Sequence, residues 1–254
     1  MNDSLIGPDE TLDDLRSGGL KIIQKKDGYR FSLDPVLLCG FARVGVGESV
    51  ADLGTGSGVI PLLLARRTEA ARITGVEIQP ELADRARRSL VLNGLQERVT
   101  IVEGDLRELR GCLEPQSFEV VLSNPPYRRG GSGRTAPVAE RAAARHELAG
   151  GLDDFLAAAA YLLKQGGRFY IIYLAERLAE LLAAMARQRV EPKRLRCVHS
   201  RQGEEARMVL VEGRRNGRPG MRVETPLYVY DGEDYTAEIM AIYGEGEGPV
   251  ISNE

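Results

Sequence analysis

The sequence predicts an α/β fold in which helices cover both faces of a mostly parallel β-sheet. Three observations lead to this prediction. Short β-branched runs alternate with longer segments of helical period, a glycine-rich loop joins the first of these strands to a helix, and consecutive strands replace the helices after Pro192. With 254 residues and 43% hydrophobic content, the chain suits one large domain.

The alternating segments occupy the middle of the chain. Their β-branched runs are short enough to be strands, and the segments between them have the apolar spacing of helices. The predicted strands are Ser49–Leu53, Arg72–Glu77, Arg98–Glu103, Phe118–Ser123 and Arg168–Tyr173. The predicted helices are Val59–Arg67, Pro80–Asn93, Leu152–Leu163 and Ala175–Arg187. Such alternation implies parallel strands joined by helical crossovers.

The two ends of the chain have different patterns. The sequence is mixed and polar up to Gly28, and Asp34 with Pro35 then predicts the N-cap and the first position of a short apolar helix. The strands predicted after Pro192 are Arg194–His199, Arg207–Glu212 and Arg222–Tyr230. The sheet should therefore end in an antiparallel hairpin, and the segment from Tyr243 on is expected to be flexible.

Composition argues against several classes of protein. No apolar run approaches the roughly 20 residues that span a bilayer, and the N-terminus lacks the pattern of a signal peptide. We therefore expect a cytoplasmic location and no membrane partner. The three cysteines, Cys39, Cys112 and Cys197, are far apart and lack the paired spacing of a zinc site or a disulfide framework, so no metal is expected.

Charge is distributed unevenly along the chain. The 34 Lys and Arg against 37 Asp and Glu give a net charge of -3, which carries no overall signal for a nucleic-acid partner. Between Arg128 and Arg222, however, there are 19 basic and 10 acidic residues. A segment of this kind is often only a solvated surface, and it indicates phosphate binding only beside a catalytic motif.

A glycine-rich loop follows the first predicted strand of the alternating region. A strand that runs into glycines and then a helix lets backbone amides approach a nucleotide-like ligand. The dinucleotide-binding pattern needs a glycine where Val59 stands, and the spacing after the aspartate resembles a methyltransferase cofactor loop instead. A tight turn or another nucleotide loop remains an alternative for this loop alone. The loop residues expected at the ligand are Asp52, Gly54, Thr55, Gly56 and Gly58.

Acidic residues end or follow the next two strands. Glu77 is placed to accept both ribose hydroxyl hydrogens of an adenosine ligand, although a solvated acid at a strand end is the simpler interpretation. Asp105 could accept a hydrogen bond from the adenine amine, and a helix N-cap is its alternative role. We expect the adjacent Ile78 and Leu106 to line the same site.

The most specific motif is Asn124-Pro125-Pro126-Tyr127, at the end of the strand Phe118–Ser123. An exocyclic amino nitrogen is a poor nucleophile because its lone pair is delocalised, so a site must accept both N–H hydrogens. The Asn124 side-chain oxygen and the Pro125 carbonyl can do so. Prolines offer no competing amide hydrogen, and the Tyr127 ring offers a face on which a flipped base can stack. The motif predicts methyl transfer to an amide-like or exocyclic amino nitrogen.

Three motifs together resemble bacterial tRNA adenine-N6 methyltransferases: the stretch Arg30–Pro35, the glycine loop that begins at Asp52, and Asn124–Tyr127. The resemblance covers roughly residues 10 to 230. It implies a class I methyltransferase fold with a Rossmann-like seven-strand sheet, S-adenosylmethionine as cofactor and tRNA as partner. In that family the target is the adenosine 3′ of the anticodon of a valine tRNA. The resemblance says nothing about whether the chain is a monomer or a homodimer.

The resemblance also implies roles for individual residues. Residues 1–48 would be an extension with a lid helix on the cofactor site, 49–230 the methyltransferase domain, and 231–254 a tail. The residues that would hold the cofactor are Arg30, Ser32, Asp34, Asp52, Gly54, Thr55, Gly56, Gly58, Glu77, Ile78, Asp105, Leu106 and Asn124. Asn124, Pro125, Pro126 and Tyr127 would hold the target amine, and the candidates for RNA phosphates are Arg128, Arg129, Arg134, Arg141 and Arg145.

Other functions share parts of this pattern. Release-factor glutamine methyltransferases use the same Asn-Pro-Pro-Tyr to hold a glutamine amide, but they carry an N-terminal helical domain. Only about fifty residues precede Asp52 here, and they contain the Phe-Ser-Leu-Asp-Pro element instead. A DNA adenine methyltransferase would need a base-recognition domain, and none is visible. A module that binds cofactor or RNA without turnover is disfavoured by the intact motifs.

Overall fold

The structure is a computed structural model that describes residues 5–15, 18–27, 30–127 and 150–244. The strands are β1 (Glu10–Asp14), β2 (Lys21–Lys25), β3 (Ser49–Leu53), β4 (Arg72–Glu77), β5 (Val99–Glu103), β6 (Phe118–Ser123), β7 (Leu163–Leu174), β8 (Val190–His199), β9 (Ala206–Arg215), β10 (Arg222–Val223), β11 (Leu227–Tyr228), β12 (Tyr230–Asp231) and β13 (Asp234–Tyr235). The helices are α1 (Asp34–Phe41), α2 (Val59–Arg67), α3 (Pro80–Leu92), α4 (Leu152–Leu162), α5 (Leu178–Arg187) and α6 (Ala237–Tyr243), with 3-10 turns at Leu106–Glu108 and Ala175–Arg177.

The central sheet has the strand order β10-β8-β9-β7-β6-β3-β4-β5, and β11 also pairs with β8. The pairs among β3 to β7 are parallel, whereas β9 is antiparallel to both β7 and β8. The seven-strand sheet that the resemblance implies and the antiparallel hairpin are therefore confirmed, and two strands of two residues stand where an eighth strand was predicted. The chain runs outward from β3 to β5 and then crosses to β6 on the other side of β3, which makes the β3–β6 boundary the switch point of the sheet.

Neighbouring residues along each strand point to opposite faces of the sheet. Val50 and Val120 belong to the apolar cluster formed with α1, α2 and α3, while Ala51 and Val121 belong to the cluster formed with α4 and α5. Because strands have a period of two, strands that are apolar at every position need cover on both sides. The helices on both faces are thus required by the sequence of the strands, as predicted.

The predicted strand Arg222–Tyr230 is wrong in form. The segment pairs with β8 in two pieces, and both pieces run parallel to β8. Pro226 stands between them, and a proline has no amide hydrogen to donate to a strand ladder.

The predicted N-cap of the first helix is also displaced by one residue. Leu33 already has helical angles and occupies the cap position, so Asp34 is the first residue of α1.

Both ends of the described chain pack against the domain. The polar N-terminal stretch forms the hairpin β1–β2, which the sequence pattern did not reveal. Ile22 and Ile23 of this hairpin are fully buried, and the Ile23 amide donates to Ser89 Oγ of α3 at 3.0 Å. At the other end, α6 packs on α1, where a Cβ at Gly40 would meet Ile242 at 2.8 Å. The domain boundaries assigned from the sequence stay a prediction.

Within the described ranges, every helix is too short or too polar to span a bilayer. In the same ranges no three His, Cys, Asp or Glu side chains lie together in a group able to hold a metal ion. Cys39 is buried, Cys112 is exposed, and Cys197 is intermediate; all three are free thiols.

Candidate active site

A cavity of about 960 Å³ opens at the carboxyl ends of the parallel strands. Its volume is at the upper end of the range typical of small-molecule sites. Two predicted motifs meet in it because Leu53, before the glycine loop, is paired in register with Ser123, before Asn124. Ser123 Oγ donates to the Leu53 carbonyl at 3.1 Å and fastens the two strand ends together. The switch point of the sheet thus forms one site from two distant segments.

The glycine loop is tied to the neighbouring strand β4. The amides of Gly54 and Thr55 both donate to the Val76 carbonyl at 2.9 Å. Gly54 and Gly56 have φ values of 70° and 58°, which a residue with a side chain rarely adopts. A Cβ at Gly56 would meet nothing within 4 Å, so this glycine leaves open room beside the cavity that it lines.

Glu77 lies at the centre of the cavity wall. One carboxylate oxygen accepts from the Gly56 amide at 2.8 Å and the other from the Gln79 amide at 2.9 Å. Burial raises the pKa of Glu77, while these backbone hydrogen bonds and one from Ile78 oppose the rise. These amides fix the carboxylate in the wall of the cavity.

Asp52 lies behind the glycine loop and does not line the cavity. Its side chain is 1% exposed, and neither of its oxygens has a hydrogen-bond partner among the described residues; the same holds for Thr55 Oγ1. Burial raises the pKa of Asp52 to about 7, a rise that the nearby Thr55 hydroxyl opposes and the Glu77 carboxylate reinforces. Buried polar atoms without partners are costly and mark a place where a ligand or water is needed.

The Asn124–Tyr127 segment lines the same cavity as Glu77. Asn124 and the two residues that follow Pro125 are partly exposed, while Pro125 itself is buried. The Tyr127 hydroxyl donates to Asn124 Oδ1 and lies 3.2 Å from Asp34 Oδ2. The Tyr127 ring packs edge-on against Tyr173, with 5.9 Å between ring centroids. All four residues of the motif line the cavity, as the sequence analysis expected.

Arg177 supports this segment, and the sequence analysis missed it. Its Nη1 donates to the Tyr127 carbonyl at 2.9 Å, and its guanidinium lies 4.9 Å from the centroid of the Tyr173 ring. Glu180, one helical turn further on, holds the guanidinium with two hydrogen bonds of 2.9 and 2.7 Å. The only sequence signal was a basic residue followed three positions later by an acidic one, just after the strand β7.

The predicted cofactor residues divide into two groups. Those that line the cavity are Ser32, Gly54, Thr55, Gly56, Glu77, Ile78, Leu106 and Asn124. Those that do not line it are Arg30, Asp34, Asp52, Gly58 and Asp105. The contact of Asp105 with a cofactor stays a prediction, since its carboxylate caps the 3-10 turn by accepting from the Arg107 amide at 2.9 Å.

Three of these residues outside the cavity have other contacts. Arg30 pairs with Asp13 at 2.7 Å. Gly58 has a φ of 86°, and a Cβ there would meet Ala86 of α3 at 3.1 Å, so this glycine allows two helices to approach each other. Asp34 lies beside Tyr127.

Further lining residues come from segments to which the sequence analysis assigned no chemistry. Gln24 and Lys25 of β2 reach the cavity, as does Phe155 of α4, which lies 3.0 Å from a Cβ built on Gly54. Gly75 of β4 is needed nearby, since a Cβ there would meet Thr55 Oγ1 at 2.8 Å. None of these contacts has a local sequence signal because each depends on how distant segments pack.

The predicted RNA-contacting residues Arg128, Arg129, Arg134, Arg141 and Arg145 lie outside the described residues. In the described part of the basic segment, many side chains pair with acids of the same chain. The paired residues are Lys164, Arg168, Arg177, Arg187, Arg194, Arg196, Arg201 and Arg222. Of these, Arg177 lines the cavity.

The family model of the methyltransferase small domain matches residues 36–188, which is more than half of the chain. The chain belongs to this methyltransferase family. It is an enzyme of the S-adenosylmethionine-dependent class, as the glycine loop and the Asn-Pro-Pro-Tyr motif indicated. The matched residues include the ends of β3, β4, β5 and β6, next to which the cavity opens.

Relatives of this methyltransferase carry a specific activity in their names. A tRNA1(Val) (adenine(37)-N6)-methyltransferase of Porphyromonas gingivalis is 34% identical over 191 residues, 73% of this chain and 74% of the relative. The enzyme of the same name from Aeromonas hydrophila is 34% identical over 181 residues, 70% of this chain and 73% of the relative. These relatives confirm the family resemblance.

Solved structures confirm the fold of the methyltransferase. A predicted O-methyltransferase of Agrobacterium tumefaciens is 25% identical, with a TM-score of 0.70 and coverage of 84% of this chain and 96% of that chain. The TYW2 protein of P. horikoshii, solved in complex with MeSAdo, is 15% identical, with a TM-score of 0.56 and coverage of 83% and 73%. Both are consistent with the class I methyltransferase fold.

Proposed function

We propose that this methyltransferase transfers the methyl group of S-adenosylmethionine to the exocyclic amino nitrogen of an adenine in tRNA. The observation that carries the proposal is the meeting of Asn124–Tyr127 with the glycine loop and Glu77 in one cavity of about 960 Å³. A cavity of this size holds a nucleoside-sized cofactor with room for a flipped base. The names of the relatives support adenine and tRNA as the substrate.

The residues present suit the cofactor. Glu77 offers two fixed carboxylate oxygens to the ribose hydroxyls, and Gly54 and Gly56 keep side chains away from the space beside it. Asp52 and Thr55 supply the buried acceptors without partners that the amino group of the cofactor, or a water bound to it, can satisfy. When bound, S-adenosylmethionine supplies an electrophilic methyl group on a sulfonium, which leaves as a neutral thioether.

The chain's own residues prepare the nucleophile. Asn124 Oδ1 accepts one N–H of the target amine and the Pro125 carbonyl accepts the other, which localises the lone pair on nitrogen toward the methyl group. The prolines restrict the backbone that carries these acceptors because their φ angles are locked. The product cation loses its proton to water, so the reaction needs no strong base in the site.

The surroundings of the cavity support further assignments. The N-terminal segment contributes Gln24, Lys25, Phe31 and Ser32 to the cavity, which fits a lid formed by residues 1–48. Arginines between 128 and 145 would contact phosphates of the RNA, and binding would then weaken as salt is raised. A tRNA substrate also fits the expected cytoplasmic location.

The proposal is tested by offering several acceptors in parallel with radiolabelled S-adenosylmethionine. Unmodified total tRNA, release-factor protein and duplex DNA are incubated separately with the purified enzyme, and label is counted in each. The proposal predicts label in tRNA alone. Label in the release factor would instead identify a glutamine methyltransferase, and label in none of the three despite cofactor binding would reject catalysis on these substrates.

A further inference from the structure

Among the described residues, Asn124 and Asp34 both offer the hydroxyl of Tyr127 an acceptor oxygen, and the hydroxyl has one hydrogen to give. It donates to Asn124 Oδ1, and Asp34 Oδ2 lies 3.2 Å away. The Asn124 oxygen is also the group that the proposed reaction needs for the target amine. In this arrangement the tyrosine hydroxyl occupies one lone pair of the Asn124 oxygen, and an incoming amine competes with it for that oxygen.

The ring of Tyr127 is held in place while this exchange occurs. Tyr173 packs against it edge-on, and the Tyr127 carbonyl accepts from Arg177, which Glu180 in turn holds. A phenolic hydroxyl can redirect its hydrogen by rotation about the C–O bond, with no movement of the ring. The exchange between the two acceptors thus needs only a local change.

Asp34 is placed to take over the hydroxyl. It begins α1, its amide lies 3.3 Å from Ser32 Oγ, and Pro35 follows it, so its backbone is constrained on both sides. A hydrogen bond to an ionised carboxylate is stronger than one to a neutral amide oxygen. Asp34 does not line the cavity, and its Oδ2 lies 3.2 Å from the hydroxyl of Tyr127, which does.

We propose that Asp34 is a positioning residue: it accepts the Tyr127 hydroxyl when the target amine takes over Asn124 Oδ1. This inference rests on the proposed function and extends it. No covalent bond forms or breaks in the exchange, and the proton stays on the tyrosine oxygen throughout. Asp34 acts only through Tyr127, so its effect on methyl transfer must disappear when the hydroxyl is absent.

A double-mutant cycle with Asp34→Ala and Tyr127→Phe tests this dependence. The single change Asp34→Ala is expected to lower kcat/KM for the acceptor about 10-fold, the size of one lost hydrogen bond to a charged group. In the Tyr127→Phe background the same change is expected to alter kcat/KM by less than about 2-fold. Asp34→Asn retains an acceptor oxygen and should recover part of the loss.

Cofactor affinity and the thermal midpoint are measured on all variants. Both should be unchanged by Asp34→Asn. If the alanine variant does not fold, the asparagine variant takes its place in the cycle. An equal loss in the two backgrounds would overturn the inference, as would a rise in the cofactor Kd that accounts for the loss.

The cycle is run on whichever acceptor the wild-type enzyme labels. Methylation of a protein amide would refute the tRNA proposal and leave the cycle a valid test of Asp34, whereas no transfer to any acceptor overturns both.

Discussion

Two buried acids in different parts of the molecule show opposite electrostatics. Glu10 of the N-terminal hairpin accepts hydrogen bonds from Arg88 at 2.6 and 2.8 Å, and this partner lowers the pKa of Glu10 to about 2. Asp52 beside the glycine loop has no hydrogen-bond partner among the described residues, and burial raises its pKa to about 7. The ion pair of the hairpin favours the charged carboxylate, whereas burial beside the glycine loop disfavours it.

The same contrast separates the wall of the cavity at the strand ends from the structure around it. The wall at the strand ends carries the groups that we propose to contact ligands, and it is held by backbone hydrogen bonds and locked prolines. The surrounding structure is held by side-chain ion pairs, such as Glu10 of the hairpin with Arg88 of α3 and, within one helical turn, Arg177 with Glu180. Changes in the wall should therefore affect chemistry or ligand binding, and changes in the surrounding structure should affect stability or geometry.

The largest effect is expected from Asn124→Ala. Removing the amine acceptor should lower kcat by about 10²–10³, the usual result of removing one preorganised hydrogen-bonding group from a reacting centre. The cofactor Kd should stay within about 3-fold of the wild type because Glu77 and the glycine loop are untouched. Single-turnover methyl transfer and equilibrium cofactor binding measure the two quantities. Glu77→Gln is the matched contrast, and its main effect should be a rise in the cofactor Kd.

Asp52→Asn is expected to stabilise the protein without ligand at pH 7. The Asp52 carboxyl titrates near 3.8 when unfolded and near 7 when folded, so the folded state is penalised as pH rises from about 4 to 7. Removing the charge should raise the free energy of unfolding by about 2–4 kcal/mol at pH 7 and by little at pH 4. Urea unfolding at both pH values measures this, and equal stability of variant and wild type at pH 7 would contradict it.

Glu10→Gln should act in the opposite direction. The folded pKa of about 2 lies below the unfolded value of 4.5, so the carboxylate stabilises the fold above pH 4.5 and the contribution is lost as pH falls toward 2. We expect a loss of about 2–3 kcal/mol at pH 7 that shrinks steadily below pH 4.5. Urea unfolding across this range is the measurement, and Asp9→Asn, at an exposed ion pair, is the control.

Arg177→Ala should have a smaller effect on the reaction than Asn124→Ala. It removes a hydrogen bond to the Tyr127 carbonyl and the support of the Tyr173 ring, so kcat/KM should fall about 10-fold with cofactor affinity unchanged. Arg187→Ala, which breaks an ion pair of two exposed side chains with Asp153, is the matched control and should change neither quantity. A wild-type rate for Arg177→Ala would show that this support is dispensable.

The sequence predicted the strand-end wall well because each motif there is local. Strands β3, β4 and β6 and helix α2 have the predicted bounds, and Asn124–Tyr127 lies in the cavity with Glu77. The hairpin β1–β2 and the roles of Arg177 and Phe155 could not be predicted because they depend on contacts between distant segments. Pro226, by contrast, was a local signal against the single strand predicted for Arg222–Tyr230, and the prediction did not use it.

If Asn124–Tyr127 directs the methyl group to an amino nitrogen, the methylated atom of the product must be that nitrogen. Identification of this atom is therefore the decisive measurement. Transfer RNA is treated with the enzyme and S-adenosylmethionine that carries a deuterated methyl group, then digested to nucleosides and analysed by mass spectrometry against authentic standards. The account predicts the deuterated methyl in N6-methyladenosine, and its absence with Asn124→Ala. A deuterated methyl on a ring nitrogen or on a ribose oxygen would contradict it.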